Sequence, residues 1–298
     1  MSVPSRNGVG ASCVALPNGE WPLLLDFLAE RFVAIGRAEW AARMVRGDVL
    51  DASGRVLGAA EAYRSQQKIF YFRSLESEAP IPFTETILYQ DTHLLVVDKP
   101  HFLPVLPSGR YLQETLLVRL KRRLGIDALT PIHRIDRETA GLVLFSVQAE
   151  TRGLYHRLFR EREVQKSYLA IAGHRADLRF PLTLSQRLEE ADRFMQMRVV
   201  EGVPNAMLRI ELEFVHGRLA RYRLWPSTGQ RHQLRVQMNW LGIPILNDQI
   251  YPHHAAETPL GARPDYTRPL QLLAHTLAFR DPVSARAQRF ESTLQLQI

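Results

Sequence analysis

Apolar positions along this chain recur with two different periods, and the switches between them mark out its elements. Trp21, Leu24, Phe27, Leu28 and Phe32 recur at helical spacing and stop at Gly36. A second helix follows, with Trp40, Met44 and Val45 facing inward, and ends at Gly47. Val49-Leu50 and Val56-Leu57 around Ser53-Gly54 predict a short hairpin. Ile87–Gln90 and Leu94–Lys99 around Asp91-Thr92-His93 read as strands. Leu112, Leu116, Leu117, Leu120 and Leu124 predict a helix over 111–124, closed by Gly125. The run Leu142-Val143-Leu144-Phe145 is continuous rather than alternating, which is the mark of a strand buried on both faces. A helix over 150–163 is carried by Leu154, Tyr155 and Leu158.

Next, Gln165–Gly173 alternates. Lys166, Tyr168 and Ala170 share one face, and Leu169 and Ile171 the other. Residues 182–225 read as further strands, including 193–200 and 219–225. Pro226-Ser227-Thr228-Gly229 leads into a helix from about Gln230 to Leu241, with Thr228 as its N-cap and Gly242 and Pro244 at its end. Ala274–Phe279 and Phe290–Ile298 read as closing strands. Residues 1–20, rich in Ser, Gly, Pro and Asn, predict a flexible leader, and residues 74–84 a linker. The fold class is therefore α+β, in three segments: a leader over 1–20, a small module over 21–80 and a larger domain over 81–298.

At 298 residues, with 46% apolar and 23% charged residues, the chain can build a sizeable core. An excess of 38 Lys+Arg over 31 Asp+Glu, +7 overall, favours polyanionic partners. Cys13 is the single cysteine, which excludes an internal disulfide and suits a reducing cytoplasm. No run is long and apolar enough to span a membrane, and no Gly-rich phosphate loop or His/Cys metal spacing is present. His253-His254 sits in a Pro-flanked loop and is weak evidence for any chemistry. A cytoplasmic monomer without metal or cofactor is the expectation.

The chemistry concentrates in Pro131–Gly141, where Asp136 stands between Arg134 and Arg137 and the loop empties into Leu142–Phe145. A carboxylate between two cations is held ionised, which suits a nucleophile or electrostatic stabiliser. Further along, Arg231 and Arg235 lie one helical turn apart. An Arg beside the apolar stripe of Leu234, Met238 and Leu241 needs a buried acid, and Asp136 is the candidate. If the Lys166 face of its strand borders a cleft, Tyr168 points into it. Cations on 111–124, Arg122 among them, form a shoulder able to meet phosphate.

The helix–helix–hairpin plan of the small module, with Arg43 and Arg46 outward on its second helix and Met44-Val45-Arg46-Gly47-Asp48-Val49 following, resembles the alpha-L RNA-binding motif. The larger domain resembles the RluA-type RNA pseudouridine synthases in four stretches, taken in the family's order. These are Ile87–Pro100, His133–Leu142 (H-R-I-D-x-x-T-x-G-L), Lys166–Ala170 (K-x-Y-L-A) and Thr228–Asp248 (T-G-x-x-H-Q-L-R-V onward), with Tyr251 after them. The resemblance implies a long, bent, mainly antiparallel sheet with flanking helices and an RNA cleft. It also implies a cofactor-free isomerisation of uridine to pseudouridine in rRNA or tRNA. Asp136 is then the catalytic aspartate, Tyr168 the cleft tyrosine and Arg235 the basic partner. Arg134 enters the space left by a flipped nucleotide, and Leu234 lines the pocket. His133, Arg137, Thr139, Lys166, Arg231, Arg122, Arg43 and Arg46 are the further RNA contacts expected. Ala140, Gln230 and Gln237 depart from the family's Ser, Arg and His.

Two rivals exist. A non-catalytic RNA-binding or ribosome-assembly factor on the same fold would not need the Asp136–Tyr168–Arg235 set. A glycoside-type hydrolase would need a second cleft carboxylate, and no motif supplies one.

Overall fold

The computed structural model describes residues 4–73, 78–193, 196–252 and 265–297. Of the stretches read above, 74–77, Phe194-Met195 and His253-His254 lie outside the described residues.

The chain divides into two compact units, Met1–Glu78 with Pro107–Gln113, and Ala79–Leu106 with Glu114–Ile298. In the first, β1 (Ser5–Arg6) pairs with β2 (Val9–Gly10), and β3 (Ser12–Ala15) joins a three-stranded sheet of order β3-β5-β4, where β4 is Val49–Asp51 and β5 is Lys68–Tyr71. Residues 12–15, which composition assigned to a flexible leader, are thus a strand of this sheet, with Cys13 opposite Phe70. Helices α1 (Leu24–Arg31) and α2 (Arg37–Val45) bury Leu24, Phe27, Leu28, Trp40 and Met44 in one cluster with Val49 and Ile69. Val49-Leu50 faces Val56-Leu57 across the Ser53-Gly54 turn, through a Leu50–Val56 bridge and main-chain bonds from Leu57 N–H to the Val49 carbonyl and Asp51 N–H to the Arg55 carbonyl, both 2.9 Å, and on its other edge it pairs with Lys68–Tyr71. Arg43 corrects a second expectation. Its side chain is 9% exposed and its Nε donates to Glu39 at 2.9 Å, so it is packed inside the module and does not point outward. Val45, read as inward, is exposed instead.

The second unit is built on an eleven-stranded sheet. Its strands are β6 (Thr86–Gln90), β7 (Leu94–Lys99), β8 (Thr130–Pro131), β9 (Ala140–Ser146), β10 (Gln165–Gly173), β11 (Leu182–Glu190), β12 (Met197–Val200), β13 (Ala206–His216), β14 (Leu219–Pro226), β15 (Leu272–Arg280) and β16 (Ala287–Glu291). The main path runs β12-β11-β13-β14-β10-β15-β9-β7-β6, with β16 beside β15 and β8 beside β9. Every pair is antiparallel except β9 with β15. The flanking helices are α3 (Leu116–Leu124), α4 (Ala149–Arg160) and α5 (Gln233–Trp240).

The continuous apolar run is a strand buried at every position of β9. Helix α3 starts at Leu116, where Thr115 caps Val118 N–H, so Leu112 packs from a loop. Helix α5 starts three residues later than its pattern predicts. Thr228 is not its cap: its hydroxyl donates to Gln233 Oε1 at 2.8 Å and accepts from Met207 N–H. His232, at φ 51°, precedes the helix instead.

Candidate active site

Sheet register brings the distant motifs together. Ala274 on β15 pairs with Gly141 on β9 on one side and with Tyr168 on β10 on the other. The Asp136 loop, which ends at Gly141, and the Tyr168 strand are therefore only two strand spacings apart, roughly 10 Å. Gly141 is required there. A Cβ at its position would lie 2.2 Å from the Ala274 carbonyl oxygen, and its φ of 109° suits glycine alone. A register shift in β10 between Ser167 and Tyr168 falls at the same place.

The loop itself turns tightly, with Thr139 N–H donating to the Asp136 carbonyl at 3.2 Å. From the strand end below, Lys99 Nζ donates to the Arg137 carbonyl (3.1 Å) and His101 Nδ1 meets the Glu138 carbonyl (2.7 Å). Lys99 is wholly buried, and that burial lowers its pKa to about 7.

Asp136 reaches a cavity of about 400 Å³, which is also lined by His133, Arg134, Thr139, Arg162, Lys166, Tyr168, Gln233, Leu234 and Arg235. Arg235, with a side chain 1% exposed, gives one hydrogen bond to Asp136 Oδ2 at 3.1 Å. Its other two nitrogens form a fork on Asp248, Nε to Oδ2 at 2.8 Å and Nη2 to Oδ1 at 2.7 Å. The Asp248 carboxylate is fully buried and also accepts Ile250 and Tyr251 N–H. Burial alone would weaken the charged guanidinium, but Asp248 and then Asp136 hold it firmly protonated. The expected acid for Arg235 is thus present, but the bidentate partner is Asp248 and Asp136 takes the remaining donor. Asp248 ends the fourth motif, and only its position in that pattern marks it in the sequence.

The cation that meets Asp136 comes from across the fold, not from its neighbours in the chain. Arg137 turns away to Glu138 at 2.6 Å, and Arg134 is exposed at the cavity wall. Tyr168 faces the cavity with no hydrogen-bond partner for its hydroxyl among the described residues. Burial, and then the Asp136 charge, push its phenol well above the ordinary value. His133 lines the wall, stacked on Phe159 at 4.6 Å, and its Nε2 accepts Leu144 N–H at 3.2 Å. Burial and the nearby Lys166 charge lower its pKa to about 3, so it is a neutral wall element. Arg231 pairs with Glu190 at 3.3 Å, and neither it nor Arg122, exposed on α3, lines the cavity. Arg43 and Arg46 belong to the other unit. Gln233 was singled out by nothing but its motif. It pins the Thr228–Gln230 turn through its Oε1, while its Nε2 holds the Met207 carbonyl.

This geometry can be set beside known proteins. A family model described as RNA pseudouridylate synthase matches residues 93–240. The dual-specificity RNA pseudouridine synthase RluA of Haemophilus ducreyi is 30% identical over 229 residues, covering 73% of this chain and 97% of that protein. The chain belongs to the RluA-type RNA pseudouridine synthases. The synthase is also 34% identical over 215 residues to tRNA pseudouridine synthase C of Pasteurella multocida, covering 67% and 88% of the two chains. Among solved structures, human RNA pseudouridylate synthase domain containing 4 superposes with a TM-score of 0.54 at 27% identity, over 70% of this chain and 88% of that one. Of the family departures, Gln237 is buried and donates to Gln186 Oε1 at 3.2 Å, and Gln230 reaches the Asn205 carbonyl. Among the described residues no cluster of His, Cys, Asp and Glu could hold a metal, and no helix is long and apolar enough to cross a membrane.

Proposed function

We propose that this synthase isomerises specific uridines in structured RNA, ribosomal RNA in preference to tRNA, with Asp136 as the nucleophile on a flipped-out base. The observation that carries the reading is the Asp136–Arg235–Asp248 arrangement. A carboxylate is aimed into a cavity by a buried guanidinium that a second buried carboxylate holds in place. Freeing uracil from ribose, turning it and rejoining it through C5 needs a covalent catalyst whose attack is reversible, and a positioned carboxylate serves. The reaction is redox-neutral and transfers no group to a carrier, so its chemistry calls for no cofactor.

Tyr168 works as a neutral phenol. Burial and the Asp136 charge raise its pKa, which disfavours a phenolate base and supports a role in holding the reacting nucleotide while the C5 proton leaves to carboxylate or water. The base must leave its stack to reach Asp136, which fits Arg134 exposed at the cavity wall and Leu234 within it. The first unit, a helix pair on a small sheet, supports the preference for a large structured RNA through Arg46 rather than the buried Arg43. A monomer in the cytoplasm completes the proposal.

Tritium release from RNA carrying 5-³H-uridine tests it, with ribosomal RNA and tRNA assayed separately. Wild type releases tritium and Asp136→Asn falls to background. If neither protein releases tritium and both still bind RNA, the chain is a binding factor on a synthase fold.

A further inference from the structure

Arg162 lies at the cavity wall, in the turn joining α4 to β10. Its φ of 61° is left-handed, a conformation common just past a helix and filled at least cost by Gly or Asn. Main-chain bonds close the turn: Arg162 N–H donates to the Phe159 carbonyl at 3.3 Å and Glu163 N–H to the Leu158 carbonyl at 2.8 Å. Nothing in that turn calls for a guanidinium. The side chain is exposed, and among the described residues it pairs with no carboxylate.

Lys166 stands four residues on, on the cavity side of β10, and gives one hydrogen to the Thr228 carbonyl at 3.2 Å. It too has no carboxylate partner among the described residues. Arg162 and Lys166 line the same cavity, and burial, and then the charge of Arg162, push the Lys166 pKa below the ordinary value. Asp136 is the one carboxylate among the lining residues, and it is bonded to Arg235. Arg162 and Lys166 therefore form a cationic pair that no carboxylate among the described residues neutralises.

We propose that Arg162 and Lys166 form a subsite for one phosphodiester of the bound RNA, next to the nucleotide presented to Asp136. The guanidinium fork spans the two free phosphate oxygens, and the ammonium adds a point charge. Arg162 occupies a position better suited to glycine because this contact needs it. The inference rests on the RNA-synthase reading, but its test does not depend on turnover.

The test uses the full chain carrying Asp136→Asn, with fluorescein-labelled ribosomal RNA and tRNA transcripts. Arg162→Gly is the informative added variant, because glycine suits the backbone and its melting temperature should stay level or rise. Its Kd is expected to rise about five- to tenfold at moderate salt. The slope of log affinity against log salt should flatten by about 0.7 to 1. Arg162→Lys retains most of both. Unchanged affinity and slope in Arg162→Gly overturn the subsite. Inorganic phosphate against chloride at matched ionic strength separates the two sources of phosphate. Equal displacement of RNA supports the diester. A phosphate-specific effect that Arg162→Gly abolishes without changing RNA affinity overturns the RNA assignment. If wild type releases no tritium while Arg162→Gly still shows the flattened slope, the synthase reading fails and the subsite stands.

Discussion

In the smaller unit Arg43 and Arg46 share Glu39, and Arg6 and Arg46 share Asp48. In the larger unit Asp136 and Asp248 share Arg235. The two clusters use the same chemistry in different surroundings. Arg46 and Glu39 are 46% and 40% exposed, whereas the side chains of Arg235 and Asp248 are 1% and 0% exposed. Water screens the Arg46–Glu39 contact, so it adds little, although Arg43 and Asp48 in the same cluster are buried, and the acids offset the positive charge of the arginines they meet. In the second, desolvation makes every missing partner expensive, and the geometry is correspondingly rigid. A count of arginines therefore overstates the cationic surface of the module. The cavity beside Asp136 instead keeps Arg134, Arg162 and Lys166 without a carboxylate partner among the described residues.

The comparison breaks most readily at Asp248. Asp248→Ala strands the buried guanidinium and should cost about 3–5 kcal/mol, read by urea denaturation, and tritium release should fall with it because Arg235 loses its anchor. An effect below 1 kcal/mol would mean the buried cluster behaves like the exposed one. Next comes Gly141→Ala, which drives a methyl into the Ala274 carbonyl and forces a left-handed alanine. A loss of about 2–4 kcal/mol is expected, with the same denaturation midpoint as the readout.

A smaller effect is tied to pH. His133 is neutral in the fold, its pKa lowered by burial to about 3, while an unfolded histidine titrates near 6.5. Between those values the unfolded chain binds the extra proton. Stability from this group is therefore fully present above about pH 6.5 and is lost as pH falls toward 3, at no more than about 1.4 kcal/mol per unit. Melting curves from pH 7.5 down to 5 should drop more steeply for wild type than for His133→Gln, and parallel curves would refute the assignment. The smallest effect is Glu39→Ala in the module, about 0.2–1 kcal/mol. It should sharpen RNA binding slightly by removing one of the two acids that Arg46 meets, Asp48 keeping its hold, as measured by filter binding.

Local patterning made much of this molecule legible. Helical spacing located α1, α2 and α4, alternation put Lys166 and Tyr168 on one face of β10, and the unbroken run 142–145 declared a strand covered on both sides. The four motifs marked Asp136, Tyr168 and Arg235 as candidates, and the three line one cavity. These signals are short-range, because side-chain direction in a helix or strand follows from backbone geometry over a few residues. What tertiary structure alone decided were the pairings between distant segments. Ala274 registers Gly141 beside Tyr168, Asp136 meets Arg235 from 99 residues away, Asp248 takes the fork of Arg235, and Gln233 Nε2 holds the Met207 carbonyl. A side chain's partner depends on which remote backbone the sheet register delivers within 3 Å. Arg134 and Arg137 show that neighbours in the chain need not supply it.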